Sequence, residues 1–226
     1  MAFSYSEDFF EKHKKEYDYF SEEDFNIVKE CIPSLPSNGT ILDLGCGSGA
    51  LGERFQTLFP NLTVIGTDIC LTLLKFVRFY KCHSDASYLP FRDNSFDCII
   101  AGAAFHHFTK IERAVDECSR CLKPGGAFLA YDPNKFHPQR FVMMTDPLRH
   151  IFYKSGDHAV SPVHLRKILI KDNFERIRIR YVAFRGRGGS FLAGLNYKVA
   201  IDLSDSRLKW ILPLTAPWFV ITAIKS

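Results

Sequence analysis

Glycine fills three of the five positions in Gly45-Cys46-Gly47-Ser48-Gly49, directly after a short apolar run at residues 40–44. Glycine tolerates left-handed backbone and lets a second backbone or a ligand come close. The apolar run has the length of a buried parallel strand, and the stretch at residues 51–58 beyond the glycines has helical periodicity. The chain therefore passes from strand to helix over a loop nearly bare of side chains, a connection that belongs to layered α/β folds.

The rest of the chain repeats that alternation. Strands are expected at residues 63–67, 81–84, 96–101, 126–132, 176–184 and 218–224, and helices at 71–79, 110–122 and 162–172. Two helices precede the first strand. Ser6-Glu7-Asp8 starts one, with Phe9, His13, Tyr17 and Phe20 at helical spacing; Ser21-Glu22-Glu23-Asp24 starts the other, with Phe25, Val28 and Ile32 on one face until Pro33. The pattern is a doubly wound sheet, which takes its ligands beyond the carboxyl ends of its strands. Residues 134–161 have no place in the alternation and follow a strand end directly, as a lid over a site does. The 226 residues read as one domain: a helical cap (1–36), a cofactor-binding core (37–133), a lid or acceptor insertion (134–161), and a C-terminal helix with strands (162–226).

Composition excludes several classes. Apolar residues make up 46% and charged residues 24%, an ordinary globular mixture and not that of a disordered or fibrous chain. The net charge of +4 is small, so nucleic acid is set aside as the main partner. The longest apolar stretch, residues 211–224, contains Pro213 and Pro217 and falls short of the roughly 20 residues of a spanning helix. The acidic, aromatic N-terminus lacks the features of a signal peptide, which places the chain in the cytoplasm. Seven cysteines scattered through strands and helices read as reduced thiols. Cys118 and Cys121 form a C-x-x-C, but two ligands fall short of the four of structural zinc, so no metal site is expected.

Three acids stand at or near the ends of the first three strands. Asp43 stands two residues before the first glycine, where a carboxylate disfavours a pyrophosphate on the helix N-terminus and favours a cation. Capping of the loop is its competing role. Asp68 ends the second strand, where a carboxylate accepts from both hydroxyls of an adenosine ribose. Asp85 follows the third and can accept from an adenine amino group, or act as an ordinary turn residue. The glycine loop also fits G-x-G-x-x-A through Ala50, so a nicotinamide or flavin dinucleotide stays a competing ligand on these residues alone.

Four ordered segments carry a more specific resemblance: ILDLGCGSGALGERF at 41–55, VIGTDIC at 64–70, SDASYLPFRDNSFDCIIAGAAFHHF at 84–108, and LKPGGAFLAYDPN at 122–134. Together they resemble the class I S-adenosylmethionine-dependent methyltransferases, type 11 group. The likeness is firm over about residues 40–134 and looser beyond. It implies a Rossmann-like seven-stranded sheet in the order 3-2-1-4-5-7-6 with the last strand antiparallel, and S-adenosylmethionine as cofactor. By this resemblance Gly45, Cys46, Gly47 and Gly49 hold the methionine part and Asp43 serves its ammonium region. Asp68 takes the ribose, Ile69 one adenine face, and Asp85 and Ala86 the adenine edge, while Gly102 and Ala103 approach the ammonium.

Methyl transfer from a sulfonium is an in-line displacement with a neutral leaving group, so positioning dominates and a base is optional. His106 and His107 are the candidate catalytic residues, as neighbours that cannot both point at one spot, with a scaffold role as the alternative. The acceptor is expected to be a small molecule, lipid-, sugar- or polyketide-like. The competing functions are a nicotinamide-dependent oxidoreductase and a non-catalytic cofactor-binding or RNA-associated protein. Aromatics of the first helices and cations of residues 134–161 are candidates for acceptor contact. Arg176, Arg178 and Arg180 alternate along one expected strand, as an edge guard or as a patch for phosphates or a membrane surface. Oligomeric state is left open.

Overall fold

The computed structural model describes residues 22–32, 35–137, 160–182, 214 and 216–226. Their elements are α1 (Glu22–Cys31), β1 (Thr40–Leu44), α2 (Ala50–Leu58), β2 (Thr63–Asp68), α3 (Leu71–Leu74), β3 (Tyr80–His83), β4 (Phe96–Gly102), a 3₁₀ turn (Phe105–His107), α4 (Ile111–Cys121), β5 (Leu122–Pro133), α5 (Pro162–Lys171), β6 (Phe174–Val182) and β7 (Trp218–Lys225). The seven strands lie in the order β3-β2-β1-β4-β5-β7-β6. β7 runs antiparallel to both β5 and β6, and the β1, β2, β3, β4 and β5 pairings are parallel. This is the sheet the resemblance implies. The first expected helix and most of residues 134–161 lie outside the described residues.

Alternation along the strands builds two cores. Leu42, Leu44, Ile99, Phe128 and Ile221 meet Val115 and Cys118 of α4 and Leu165 and Leu169 of α5 on one face. Ile41, Val64, Ile100, Leu129 and Val220 meet Phe25 and Val28 of α1 and Leu51 and Phe55 of α2 on the other. The C-x-x-C belongs to the first core, where Cys118 and Cys121 are fully buried, so their spacing serves packing. α1 docks chiefly through Phe25 and Val28, since burying such a side chain is worth about 1.5–3 kcal/mol. Its exposed ion pair from Glu30 to Arg180, at 3.1 Å, adds at most about 1 kcal/mol. A buried bond from Tyr131 Oη to Asp24 Oδ1 (2.8 Å) fixes where α1 sits along β5.

Two expectations need correction. The helix expected over residues 71–79 ends at Leu74, because Val77 and Phe79 turn back onto the glycines of the first crossover. The Lys81 ammonium takes over the carbonyls left open, donating to Leu74 O (2.8 Å) and Val77 O (2.9 Å). The arginine stripe is also broken. β6 carries an extra residue between Glu175 and Arg178, and Arg176 adopts φ 50°, so it leaves the paired register, while Arg178 and Arg180 alternate with the half-buried Ile177, Ile179 and Tyr181. Arg180 is engaged by α1 through Glu30 and the Cys31 sulfur.

Candidate functional site

The glycine loop is tied to the neighbouring strand. Gly45 N and Cys46 N both donate to Thr67 O, at 2.8 and 3.0 Å, so the loop folds over the tip of β2. Gly45 has φ +67°, and a Cβ there would stand 2.7 Å from the Ala104 Cβ. Backbone conformation and close approach to the segment after β4 therefore both require glycine at this position.

Asp43 lies beneath this loop. It is 1% exposed, and its Oδ2 accepts from Gly52 N in the first turn of α2 at 2.9 Å. Desolvation pushes its carboxyl up to about 7, with the Gly52 bond acting against that rise and the Asp68 charge adding to it. Of the two roles read from the sequence, the structure shows the local one: Asp43 stabilises the start of α2. Gly52 is what lets the carboxylate in. A Cβ at Gly52 would stand 2.4 Å from Phe79 Cζ and 2.8 Å from Asp43 Oδ2. Gly52→Ala is expected to lower unfolding free energy in urea by about 1–3 kcal/mol through overpacking; an unchanged midpoint would show that Phe79 moves aside without cost.

Asp68 is anchored at both oxygens. Oδ2 accepts from Gly47 N and Oδ1 from Cys70 N, each at 2.8 Å. The Ile69 N–H also bears on this carboxylate, which leaves it part of its acceptor capacity for a ligand hydroxyl. Burial raises its pKa, while these bonds and the charge of His107 lower it. Ile69 beside it is 62% exposed, an apolar surface at the strand tip. His83 joins this corner, its Nε2 lying 2.9 Å from Ile69 O. Asp85 spends Oδ1 on Ser87 N at 2.8 Å, so its carboxylate closes a turn while Oδ2 keeps acceptor capacity. Ala86 packs on the first core.

After β4 the chain bends sharply. Ala103 adopts φ 53° and donates to Tyr131 O at 2.7 Å, which carries the 3₁₀ turn across the tip of β5. Both histidines sit on that turn, and their rings lie side by side, with centroids 3.9 Å apart and planes at 44°. The argument that neighbours cannot share a direction holds for a strand and fails for this turn. His106 Nδ1 lies 2.8 Å from Asp132 Oδ1 at the end of β5. Asp132 is fully buried and also accepts from Phe105 N (3.3 Å) and His106 N (3.2 Å).

Reading the sequence missed Asp132, whose only signal is its place as the last polar residue of an apolar strand. It also missed Asn134, fully buried, which donates Nδ2 to Ala216 O at 2.8 Å and forms a bridge to Val160. Residues 134 and 160, near the two ends of the expected insertion, thus pair with each other two residues beyond Asp132. Among the described residues no His, Cys, Asp and Glu group could hold a metal ion, and no helix is long and apolar enough to cross a membrane.

This sheet order, with a glycine loop after β1 and a carboxylate at the tip of β2, is that of a class I S-adenosylmethionine-dependent methyltransferase. Residues 42–130 match a family model described as "Methyltransferase domain". Over those residues the chain carries a methyltransferase domain of the class I kind, which uses S-adenosylmethionine.

Malonyl-[acyl-carrier protein] O-methyltransferase of Methylococcus capsulatus is 33% identical over 99 residues, 40% of this chain and 36% of that protein. The tRNA (carboxymethyluridine(34)-5-O)-methyltransferase of Schizosaccharomyces pombe is 34% identical over 110 residues, 46% of each chain. The chain thus spans less than half the length of these curated relatives. Among solved structures, phosphoethanolamine N-methyltransferase 2 of Haemonchus contortus superposes with a TM-score of 0.70 at 17% identity, covering 98% of this chain and 60% of that one, a likeness of fold.

One expectation is overturned here. The small net charge sets nucleic acid aside in favour of a small-molecule acceptor, yet relatives from Schizosaccharomyces pombe, Mus musculus and Arabidopsis thaliana are tRNA methyltransferases. Net charge averages over the whole surface, whereas a macromolecular acceptor is met by one local face, so +4 is a poor guide.

Proposed function

We propose that this protein transfers a methyl group from S-adenosylmethionine to a carboxylate oxygen carried on a macromolecule, with tRNA as the first acceptor to test. The observation that carries the donor half is Asp68, held at both oxygens by the backbone of Gly47 and Cys70 beside the exposed Ile69. Gly45, Cys46, Gly47 and Gly49 hold the methionine part, Asp43 sets the negative potential under it, and Gly102 and Ala103 approach its ammonium. Asp85 and Ala86 border the adenine. When bound, S-adenosylmethionine supplies a methyl carbon on a cationic sulfur that departs as a neutral thioether.

The acceptor half is supported by the two histidines at the tip of β4, which can face an anion, and by the names of the relatives. Malonyl and carboxymethyl groups both end in a carboxylate, and both relatives are named for transfer to oxygen. A carboxylate brings its own electron pair and has no proton to lose, so the protein's task is to hold it in line. Holding reacting atoms about 3–3.5 Å apart can lower the barrier by roughly 7–11 kcal/mol.

The test incubates the full chain and a methyl-labelled donor with tRNA bearing carboxymethyluridine, and separately with malonyl-loaded carrier protein. Label incorporated into tRNA as a methyl ester, released by mild alkali as methanol, is the expected result. Alkali-stable label would mean transfer to nitrogen or carbon and would overturn the carboxylate reading. Calorimetric heat with a nicotinamide dinucleotide and none with S-adenosylhomocysteine would overturn the donor.

A further inference from the structure

Asp132 has a burial and bonding pattern that packing does not require. It is a carboxylate with no exposure at the carboxyl end of an inner strand, where its neighbours Ala130 and Tyr131 are core residues. Burying a charge is costly unless it is paired and hydrogen-bonded. Its three donors all come from the 3₁₀ turn: Phe105 N, His106 N and His106 Nδ1. The carboxylate thus grips both the backbone of the turn and the ring it carries. The imidazole is mostly covered, its side chain 13% exposed. With Nδ1 committed to Asp132, the opposite ring edge, Nε2, points away from the buried carboxylate.

We infer that Asp132 is a positioning residue that clamps His106 through Nδ1 and so directs Nε2 at the methyl acceptor. The inference rests on the acceptor reading above for what Nε2 meets, but the clamp stands on its own geometry. In the imidazolium form both ring nitrogens donate, Nδ1–H to Asp132 and Nε2–H to the acceptor carboxylate. That carboxylate supplies the electron pair of the new O–C bond, the pair of the broken S–C bond stays on sulfur, and no proton changes place. The His107 ring lies against the His106 ring, with centroids 3.9 Å apart.

Two measurements test it. In the full chain saturated with S-adenosylhomocysteine and labelled with ¹⁵N-histidine, long-range ¹H–¹⁵N spectra are expected to show a fixed, hydrogen-bonded proton on His106 Nδ1. Asp132→Ala releases it, and S-adenosylhomocysteine affinity stays within about threefold. An unchanged His106 spectrum in Asp132→Ala overturns the clamp; where that variant does not fold, Asp132→Asn is read the same way, by loss of the wild-type resonance pattern.

The second measurement is turnover of the carboxymethyluridine tRNA. His106→Ala and Asp132→Ala are each expected to lower kcat/KM by about 10²-fold, with the double variant no worse than His106→Ala. Losses that multiply would overturn the inference. Wild-type chain that binds S-adenosylhomocysteine, shows the clamped resonance and methylates no carboxylate would sink the acceptor reading and leave the clamp intact.

Discussion

Asp68→Ala is expected to weaken S-adenosylhomocysteine binding by roughly 10²- to 10⁴-fold in calorimetry. The carboxylate accepts from Gly47 N and Cys70 N at 2.8 Å each, and the proposed ribose contact draws on the acceptor capacity that remains. Hydrogen bonds to a charged group contribute about 1.5–3 kcal/mol each, so two lost bonds remove about 3–6 kcal/mol. Alanine also releases the loop backbone from the tip of β2, which disorders the cradle as well as emptying it of an acceptor. Asp68→Asn keeps one good acceptor oxygen and is expected to fall between wild type and alanine. Affinity of the alanine variant within tenfold of wild type would remove Asp68 from the site.

Asp43→Asn should separate stability from donor affinity, with opposite signs. Burial raises the Asp43 carboxyl from 3.8 to about 7. A raised folded pKa means that the folded chain binds the extra proton. The stability this contributes is complete below about 3.8 and is lost as pH rises through about 7. A shift of about three units corresponds to something on the order of 4 kcal/mol across that window. Asparagine keeps an oxygen for Gly52 N, cannot ionise, and takes this loss away. Urea unfolding between pH 5 and 8.5 should therefore show stability falling in the wild type and a flatter profile in Asp43→Asn, which is the more stable protein at pH 8. Asp68 is raised as well, so part of the slope stays.

Donor binding runs the other way. A cationic ligand favours the ionised carboxylate, so wild-type affinity for S-adenosylmethionine should rise with pH through about 7 with release of a proton, and Asp43→Asn should bind about tenfold more weakly at pH 8. Equal slopes and equal affinities in the two proteins would mean that Asp43 is only a cap.

The candidate donor side is legible in the sequence because it is local. Glycines at 45, 47 and 49, an acid at each of the first strand ends, and two histidines after the fourth strand all lie within a few residues of a strand boundary that periodicity reveals. A strand tip places its neighbours by covalent connection, so motif and location come together. Asp132 and Asn134 were not readable, since each acts through partners far along the chain: His106 for one, Ala216 and Val160 for the other. The early end of α3 was equally hidden. Leucine, lysine and phenylalanine at residues 73–76 suit a helix, and what stops it is the space that three glycines offer to Val77 and Phe79.

By itself the sequence determined the alternation of strands and helices, the place of the glycine loop and the acids around it, because periodicity and backbone permissiveness are properties of neighbouring residues. The tertiary structure alone decided what those groups touch. It buried Asp43 against Gly52, turned two adjacent histidines side by side on a 3₁₀ turn and set Asp132 behind one of them, because burial and pairing depend on which strand tips the sheet order brings together.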